Sequence, residues 1–119
     1  MKVHHPFKIT LLHYTVPNWS YYKPILLESL PPYERNGDTV STDYLDKSKS
    51  KYFDIFDKFI EPVLTEFRRD IGHEVYIRNV WTQRAKKGDH HCPHNHGSNG
   101  WAAVLYADYN PDIHSATTF

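Results

Sequence analysis

The chain has very little cysteine, since Cys92 is the only one among 119 residues. A single cysteine excludes an intramolecular disulfide and suits a reducing compartment. Net charge is also absent, because 14 lysine and arginine residues balance 14 aspartate and glutamate residues. Without a net positive field there is no broad attraction to nucleic acid or to an anionic membrane, so neither is expected as a partner.

Long hydrophobic runs are missing as well. The N-terminal residues carry no apolar run of the kind that a signal peptide has. No stretch approaches the roughly 20 apolar residues that a transmembrane helix needs. We therefore expect a cytoplasmic protein, or one in the host cytoplasm if its source is viral.

The residues that are present suit one folded domain over residues 1–119. Hydrophobic residues make up 39% and charged residues 24%, as in ordinary globular proteins, whereas the aromatic share of 15% is high. A chain of this length can bury a modest core. The unusual surplus is histidine, with nine residues in all. Several of these histidines are concentrated in residues 90–96.

The first part of the chain predicts one strand, an irregular arm and one long helix. Residues 7–14 form a short β-favouring run, and the frequent prolines of residues 17–43 allow only a helical turn or two at 24–30. Apolar residues then recur every three to four positions over residues 50–71, which predicts an amphipathic helix. Pro62 should kink this helix or begin a second one, and Gly72 should end it.

The second part of the chain predicts strands. Residues 74–82 alternate between apolar and polar positions, and Asn79 lies on the inward face of that strand. Residues 101–107 are apolar on both faces, which predicts a strand covered on both sides and ending near Tyr106. A further strand should begin at residue 113. The expected fold class is thus α+β.

The motif His94-Asn95-His96, six residues after Gly88, is the strongest chemical signal in the chain. Residues i and i+2 of an extended segment point to one face, so both imidazoles can reach one metal ion. On an evenly extended segment His90 would share that face and His91 would point away, although Pro93 disturbs the alternation before His94. Imidazole suits iron, zinc, copper or nickel.

Two other interpretations of these histidines stay open. The loop can be an exposed histidine cluster with only adventitious metal binding. Alternatively, a thiolate of Cys92 together with His90, His94 or His96 can form a zinc site.

Several spaced features resemble the iron- and 2-oxoglutarate-dependent dioxygenases, particularly their short bacterial and phage members. The features are Trp81, Gly88, His94-x-His96, Val104-Leu105-Tyr106 and Thr117-x-Phe119. The glycine and the H-x-H motif also look like the first half of the cupin signature. The resemblance covers roughly residues 75–119.

The N-terminal strand and amphipathic helix predicted in residues 1–73 are a compatible layout for this family. The resemblance implies that they pack on an incomplete double-stranded β-helix of the cupin or jelly-roll kind in residues 74–119. It implies Fe(II) as the metal, 2-oxoglutarate as the cosubstrate and hydroxylation of a small-molecule or peptide substrate. His94 and His96 would be the metal ligands, with His96 where the family usually has a carboxylate. We add Asn79 and Tyr106 as candidate cosubstrate-binding residues, although packing with a satisfied hydroxyl is the more usual role of a tyrosine such as Tyr106.

The family's distal histidine and cosubstrate anchor have no counterpart among the residues after His96, where His114 is a poor substitute. The chain therefore looks truncated, and the enzyme can be inactive as a fragment. The alternative is a non-catalytic, β-rich metal-binding or assembly module. Unpaired sheet edges would favour a homo-oligomer in either case.

Overall fold

The structure is a computed structural model that describes residues 10–34, 40–45, 51–97 and 100–114. Its elements, in chain order, are helix α1 (Trp19–Ser29), strand β1 (Ser41–Thr42), helix α2 (Phe53–Ile71) and strand β2 (Gln83–Arg84). The two strands pair antiparallel, with Ser41 opposite Arg84 and Thr42 opposite Gln83. No described helix is long and apolar enough to cross a membrane.

Helix α2 confirms the amphipathic pattern and its predicted end. The backbone N–H of Gly72 donates to the Arg68 carbonyl at 2.9 Å, and Gly72 has a φ of 71°. Glycine adopts this left-handed conformation without a steric penalty, which is why it terminates helices so often. Pro62 lies inside the helix, so a second helix does not begin there.

Helix α1 is longer than the proline-rich sequence predicts. Asn18 adopts a left-handed conformation with a φ of 53°, and its carbonyl accepts the N–H groups of Tyr21 and Tyr22. Pro24 lies within the helix, where it removes a single backbone donor. Leu26 is buried against residues of α2, and this burial stabilises the helix despite the proline.

The hydrophobic core is built mainly from the two helices. Its buried members are Leu26, Tyr52, Ile55 and Phe59. Phe59 is only 1% exposed, and its ring lies 5.7 Å from that of Trp19 and 5.4 Å from that of Phe56. This cluster uses part of the aromatic content of the sequence, whereas other aromatic residues, such as Tyr76 and Trp101, are exposed.

The predicted incomplete double-stranded β-helix is wrong for the described residues, whose sheet has only two strands of two residues each. Residues 74–82 and 101–107 lie outside any strand, as do residues 10–14 of the predicted first strand. Double burial of residues 101–107 is also wrong, because Trp101 is 57% and Val104 63% exposed. The predicted strand from residue 113 begins in a turn, and residues 7–9 and 115–119 lie outside the described residues.

The prediction failed because a β-favouring composition does not provide the second segment with which a strand must pair. Helical hydrogen bonds close within a segment, whereas a β-ladder requires a second segment brought from elsewhere in the chain. Three or more strands with an apolar face are needed for independent stability. Here the apolar core forms between helices, and the β-favouring segments remain at the surface.

The bond between Tyr14 and Asp70 gives the fold a testable pH dependence. The Tyr14 hydroxyl donates to Asp70 Oδ2 at 2.8 Å. Partial burial of the tyrosine ring, with the bond to Asp70, raises the pKa of Tyr14, and the same bond lowers the pKa of Asp70. The carboxylate therefore contributes stability above its unfolded pKa of about 4 and loses it as pH falls through the lower folded value. The neutral tyrosine contributes below its unfolded pKa of about 10 and loses its contribution as pH rises through the higher folded value.

We therefore expect Tyr14→Phe to destabilise the protein most at neutral pH and less toward both extremes. Urea unfolding from about pH 3 to 11 measures this difference, since the range spans both unfolded pKa values. Tyr21→Phe removes an exposed hydroxyl of α1 and serves as the control. A Tyr14→Phe effect that stays constant across this range would contradict the expectation.

Candidate metal centre

The histidine motif follows a stem, residues 82–89, that is hydrogen-bonded to the rest of the fold. The Thr82 N–H donates to Oδ1 of buried Asp43 at 2.7 Å, and β2 begins at the next residue. In the turn that follows, the N–H of Lys86 donates to Asp89 Oδ2 at 2.8 Å. The Tyr33 hydroxyl donates to the same oxygen at 2.6 Å. These bonds anchor both ends of the stem that leads to the histidines.

The structure brings the two predicted metal ligands together. The ring centroids of His94 and His96 are 4.9 Å apart, with an angle of 71° between the ring planes. Both residues are exposed, so an ion can approach them from solvent. Rings this close can each direct one nitrogen at a shared ion, which lies about 2.0–2.1 Å from an imidazole ligand.

The hydrogen bond of His94 determines which of its nitrogens is available. His94 Nδ1 lies 3.0 Å from the carbonyl oxygen of Cys92. A carbonyl oxygen can only accept, so Nδ1 carries the proton and a neutral ring keeps its lone pair on Nε2. Tying one ring nitrogen to the backbone is how proteins commonly orient metal-binding histidines. The Nε2 lone pair of a neutral His94 is therefore available to a metal ion.

Trp81 supports the other predicted ligand. Its ring lies 6.0 Å from that of His96, with an angle of 33° between the planes. On another side, the Trp81 ring meets Tyr44 edge-on at 5.1 Å. Trp81, which is one of the residues that carry the family resemblance, therefore lies between Tyr44 and the motif.

His91 also joins the cluster, which sequence alternation did not predict. Its ring centroid lies 4.3 Å from that of His94. An evenly extended segment would have placed His90 on this face and turned His91 away. Pro93 fixes its own φ and restricts the residue before it, so the alternation does not carry across it. Pro93 was the signal in the sequence that the alternation of side chains between the two faces could be interrupted.

The His91 ring is held by a contact outside the loop. Its Nδ1 lies 3.1 Å from the side-chain amide nitrogen of Gln83 in β2. Although His91 is an exposed residue, its neighbours remove part of the water around the ring, and this desolvation lowers its pKa. Positive charge on His94 and His96 lowers the pKa of His91 further. The neutral form that these effects favour is the one that binds metal ions.

The two predicted cosubstrate-binding residues lie at the surface. Asn79 is exposed, so its expected position on a buried inward face is wrong. Tyr106 is 48% exposed, and its ring lies 5.5 Å from that of Tyr109. An open concavity of about 500 Å³ lies at the end of α2 and includes neither residue. It is lined by Thr65, Arg68, Arg69, Gly72, His73 and Glu74.

His114 contrasts with His94 in its hydrogen bonding. The backbone N–H of Asn110 donates to His114 Nδ1 at 2.9 Å. Its Nδ1 lone pair is therefore occupied, and the proton of a neutral ring lies on Nε2. This histidine closes a turn through its ring nitrogen.

No group of three or more His, Cys, Asp or Glu side chains in the described ranges is already arranged to hold a metal ion. Cys92, the thiol of the alternative zinc site, is exposed and free. Comparisons with protein families, with curated proteins and with solved structures give no match to this chain. The local chemistry of the histidines is therefore the basis for a functional assignment.

Proposed function

We propose that the chain binds Fe(II) through His94 and His96 and acts as a 2-oxoglutarate-dependent dioxygenase. The observation that carries the proposal is the pairing of the two rings at 4.9 Å, with His94 fixed by the Cys92 carbonyl so that Nε2 is available. Two neutral imidazoles are suitable ligands for Fe(II), and they leave coordination positions open. The family resemblance of Trp81, Gly88 and the H-x-H motif supports iron and this cosubstrate.

In this proposal the part played by the protein is to orient the metal ligands. Bound Fe(II) with 2-oxoglutarate supplies the oxidising chemistry, in which O₂, 2-oxoglutarate and a C–H bond become succinate, CO₂ and an alcohol. The Cys92 carbonyl would orient His94, and the Trp81 ring lies beside His96. Because His96 replaces a carboxylate, the site carries one negative charge fewer than the usual family site.

A second candidate function is metal binding without catalysis. The exposure of both histidines favours it, because an open site excludes water less well than the enclosed sites in which reactive intermediates are protected. Zn(II) suits such a role, since it is redox-inactive and binds imidazole readily.

The test measures Fe(II) binding and succinate formation by the full chain under controlled oxygen. We expect His94→Ala and His96→Ala each to weaken Fe(II) binding at least about 100-fold, since loss of an outer-shell partner alone typically costs 10- to 100-fold. Succinate formation should disappear with the metal. His73→Ala, at the end of α2, is the matched control and should change neither quantity.

The possible outcomes separate the two candidates. Succinate formed by the parent protein, and lost in both variants, supports the dioxygenase. Fe(II) or Zn(II) binding that needs both histidines but yields no succinate from 2-oxoglutarate supports the non-catalytic module. Metal binding that survives both substitutions contradicts a site at these histidines.

A further inference from the structure

We infer that residues 101–107, the apolar segment, pair antiparallel with the same residues of a second copy of the chain. The two segments form a β-ladder across a twofold axis and join the copies into a homodimer. This interface does not use the edges of the small sheet that β1 and β2 form. It is also independent of the proposed metal site.

The apolar segment is uncovered in the structure. It reads Trp-Ala-Ala-Val-Leu-Tyr-Ala and contains no charged residue, glycine or proline. Its residues are exposed except for Ala107, and none of them lies in a strand. Apolar side chains that are exposed together mark surfaces that associate with another protein. A β-favouring segment without a strand partner is in addition a template for pairing with another chain.

Both ends of the apolar segment are held by the fold. The Trp101 ring meets that of Phe67, in α2, edge-on at 5.2 Å. Ala107 packs against the hydrophobic core, and the next residue, Asp108, lies 3.2 Å from the ammonium group of a lysine in α1. Residues 102–104 between these contacts are exposed. A segment that is already held in place loses less conformational entropy when it binds.

The order of large and small residues favours a second copy as the partner. When the segment is paired antiparallel with itself about its central residue, Val104, each of the other large side chains lies opposite an alanine. The pairs are Trp101 with Ala107, Tyr106 with Ala102, and Leu105 with Ala103. Opposite side chains of a ladder lie on one face with their Cβ atoms about 4.5–5.5 Å apart. Large residues that alternate with small ones across such positions interdigitate without gaps.

Neighbouring registers lose this complementarity. A pairing centred on Ala103 places Trp101 opposite Leu105, so two large side chains compete for the same space. A pairing centred on Leu105 places Ala103 opposite Ala107 and leaves a gap between them. The pairing about Val104 is isologous, because each copy gives and receives the same contacts, and it therefore closes at two chains.

The surface of the chain is large enough to supply such an interface. Its accessible area is 10299 Å², whereas a folded monomer of 14.1 kDa exposes about 6,700 Å². A standard protein–protein interface covers about 800 Å² on each partner. Pairing of the apolar segments would bring the exposed area of each copy closer to that of an ordinary folded protein.

The test is the mass of the full chain in solution, measured by analytical ultracentrifugation over a range of concentrations. We expect a species of twice the 14.1 kDa of one chain. Val104→Lys places two like charges opposite each other at the twofold axis and should weaken dimerisation at least about 100-fold. Ile113→Lys is the matched control, because it adds the same charge at an apolar side chain that is 74% exposed and lies outside the segment. Helical circular dichroism verifies that both variants are folded.

Cysteine cross-linking tests the register independently. Cys92→Ser first removes the only native thiol. In that background Val104→Cys should form an intermolecular disulfide on mild oxidation, because the two copies of residue 104 face each other. Ala103→Cys is the control within the same segment. Its two copies lie diagonally across the ladder, about 7–8 Å apart, which is too far for a disulfide.

Several outcomes would overturn the inference. A parent chain that stays monomeric at every concentration refutes the homodimer and leaves the segment to a different partner. A dimer that survives Val104→Lys, or that Ile113→Lys weakens equally, refutes this interface. Equal cross-linking at positions 103 and 104 refutes the pairing about Val104. An assembly larger than a dimer refutes the closed twofold arrangement.

Discussion

Replacing Phe59 with alanine is expected to lower the free energy of unfolding by about 3–5 kcal/mol. Phe59 is 1% exposed and contacts aromatic rings from both helices, with centroids 5.7 Å away at Trp19, 5.6 Å at Tyr22 and 5.4 Å at Phe56. Its removal leaves a cavity at the contact between α1 and α2 that the rigid aromatic neighbours cannot fill. A loss of this size is a large part of the roughly 5–15 kcal/mol that stabilises a typical domain.

Urea unfolding followed by helical circular dichroism measures this loss. Tyr76→Ala is the matched control, since it truncates an aromatic side chain that is 85% exposed and should change the stability by no more than about 0.5 kcal/mol. Equal effects of the two substitutions would show that the core does not lie between the helices.

Helix α2 could be predicted from the sequence because its signals are local. The spacing of apolar residues defined the buried face, and Gly72 provided the left-handed residue that ends the helix. The beginning of α1 could not be predicted, because it depends on Asn18 adopting a left-handed conformation and on Leu26 meeting α2. Tertiary burial outweighed the unfavourable effect of Pro24 on the helix.

The β part of the prediction failed for a non-local reason. Alternation in residues 74–82 indicates how a strand would orient its side chains, and it does not identify the segment that would pair with it. The pairing that forms joins Thr42 to Gln83, and neither strand is long enough to have a recognisable period. The apolar composition of residues 101–107 likewise predicted burial, but burial requires other segments to cover these residues.

The candidate site was predictable in its central pair and not in its surroundings. His94 and His96 are two residues apart, so their proximity depends little on the rest of the chain. The contact between Gln83 and His91 depends on the stem and on the path of the chain through Pro93. Sequence spacing therefore predicted a pair of candidate ligands, and only the structure shows that the ring of a third histidine, His91, lies beside them.

The bonds of Asp43 make this residue the second position where a large effect is expected. Asp43 is 7% exposed and joins three parts of the fold, since it follows β1 and its carboxylate accepts bonds from Tyr52 at 2.6 Å and from the Thr82 N–H at 2.7 Å. Tyr52 directly precedes α2 and is 1% exposed. A buried hydroxyl and a partly buried backbone N–H would lose their acceptor if the carboxylate were removed.

We expect Asp43→Ala to lower the free energy of unfolding by about 2–4 kcal/mol, since each unsatisfied buried group costs about 1–3 kcal/mol. Asp43→Asn should cost clearly less, because its oxygen can still accept from Thr82 and its amide can donate to a reoriented Tyr52 hydroxyl. Asp70→Ala, which breaks the exposed bond to Tyr14, is the matched control and should have only a small effect. Urea unfolding of the three variants gives the comparison. If Asp43→Ala proved as mild as Asp70→Ala, the Asp43 carboxylate would not be what anchors the stem, and the position of Gln83 beside His91 would have to depend on the pairing of β1 with β2 and on the bond from Tyr33 to Asp89.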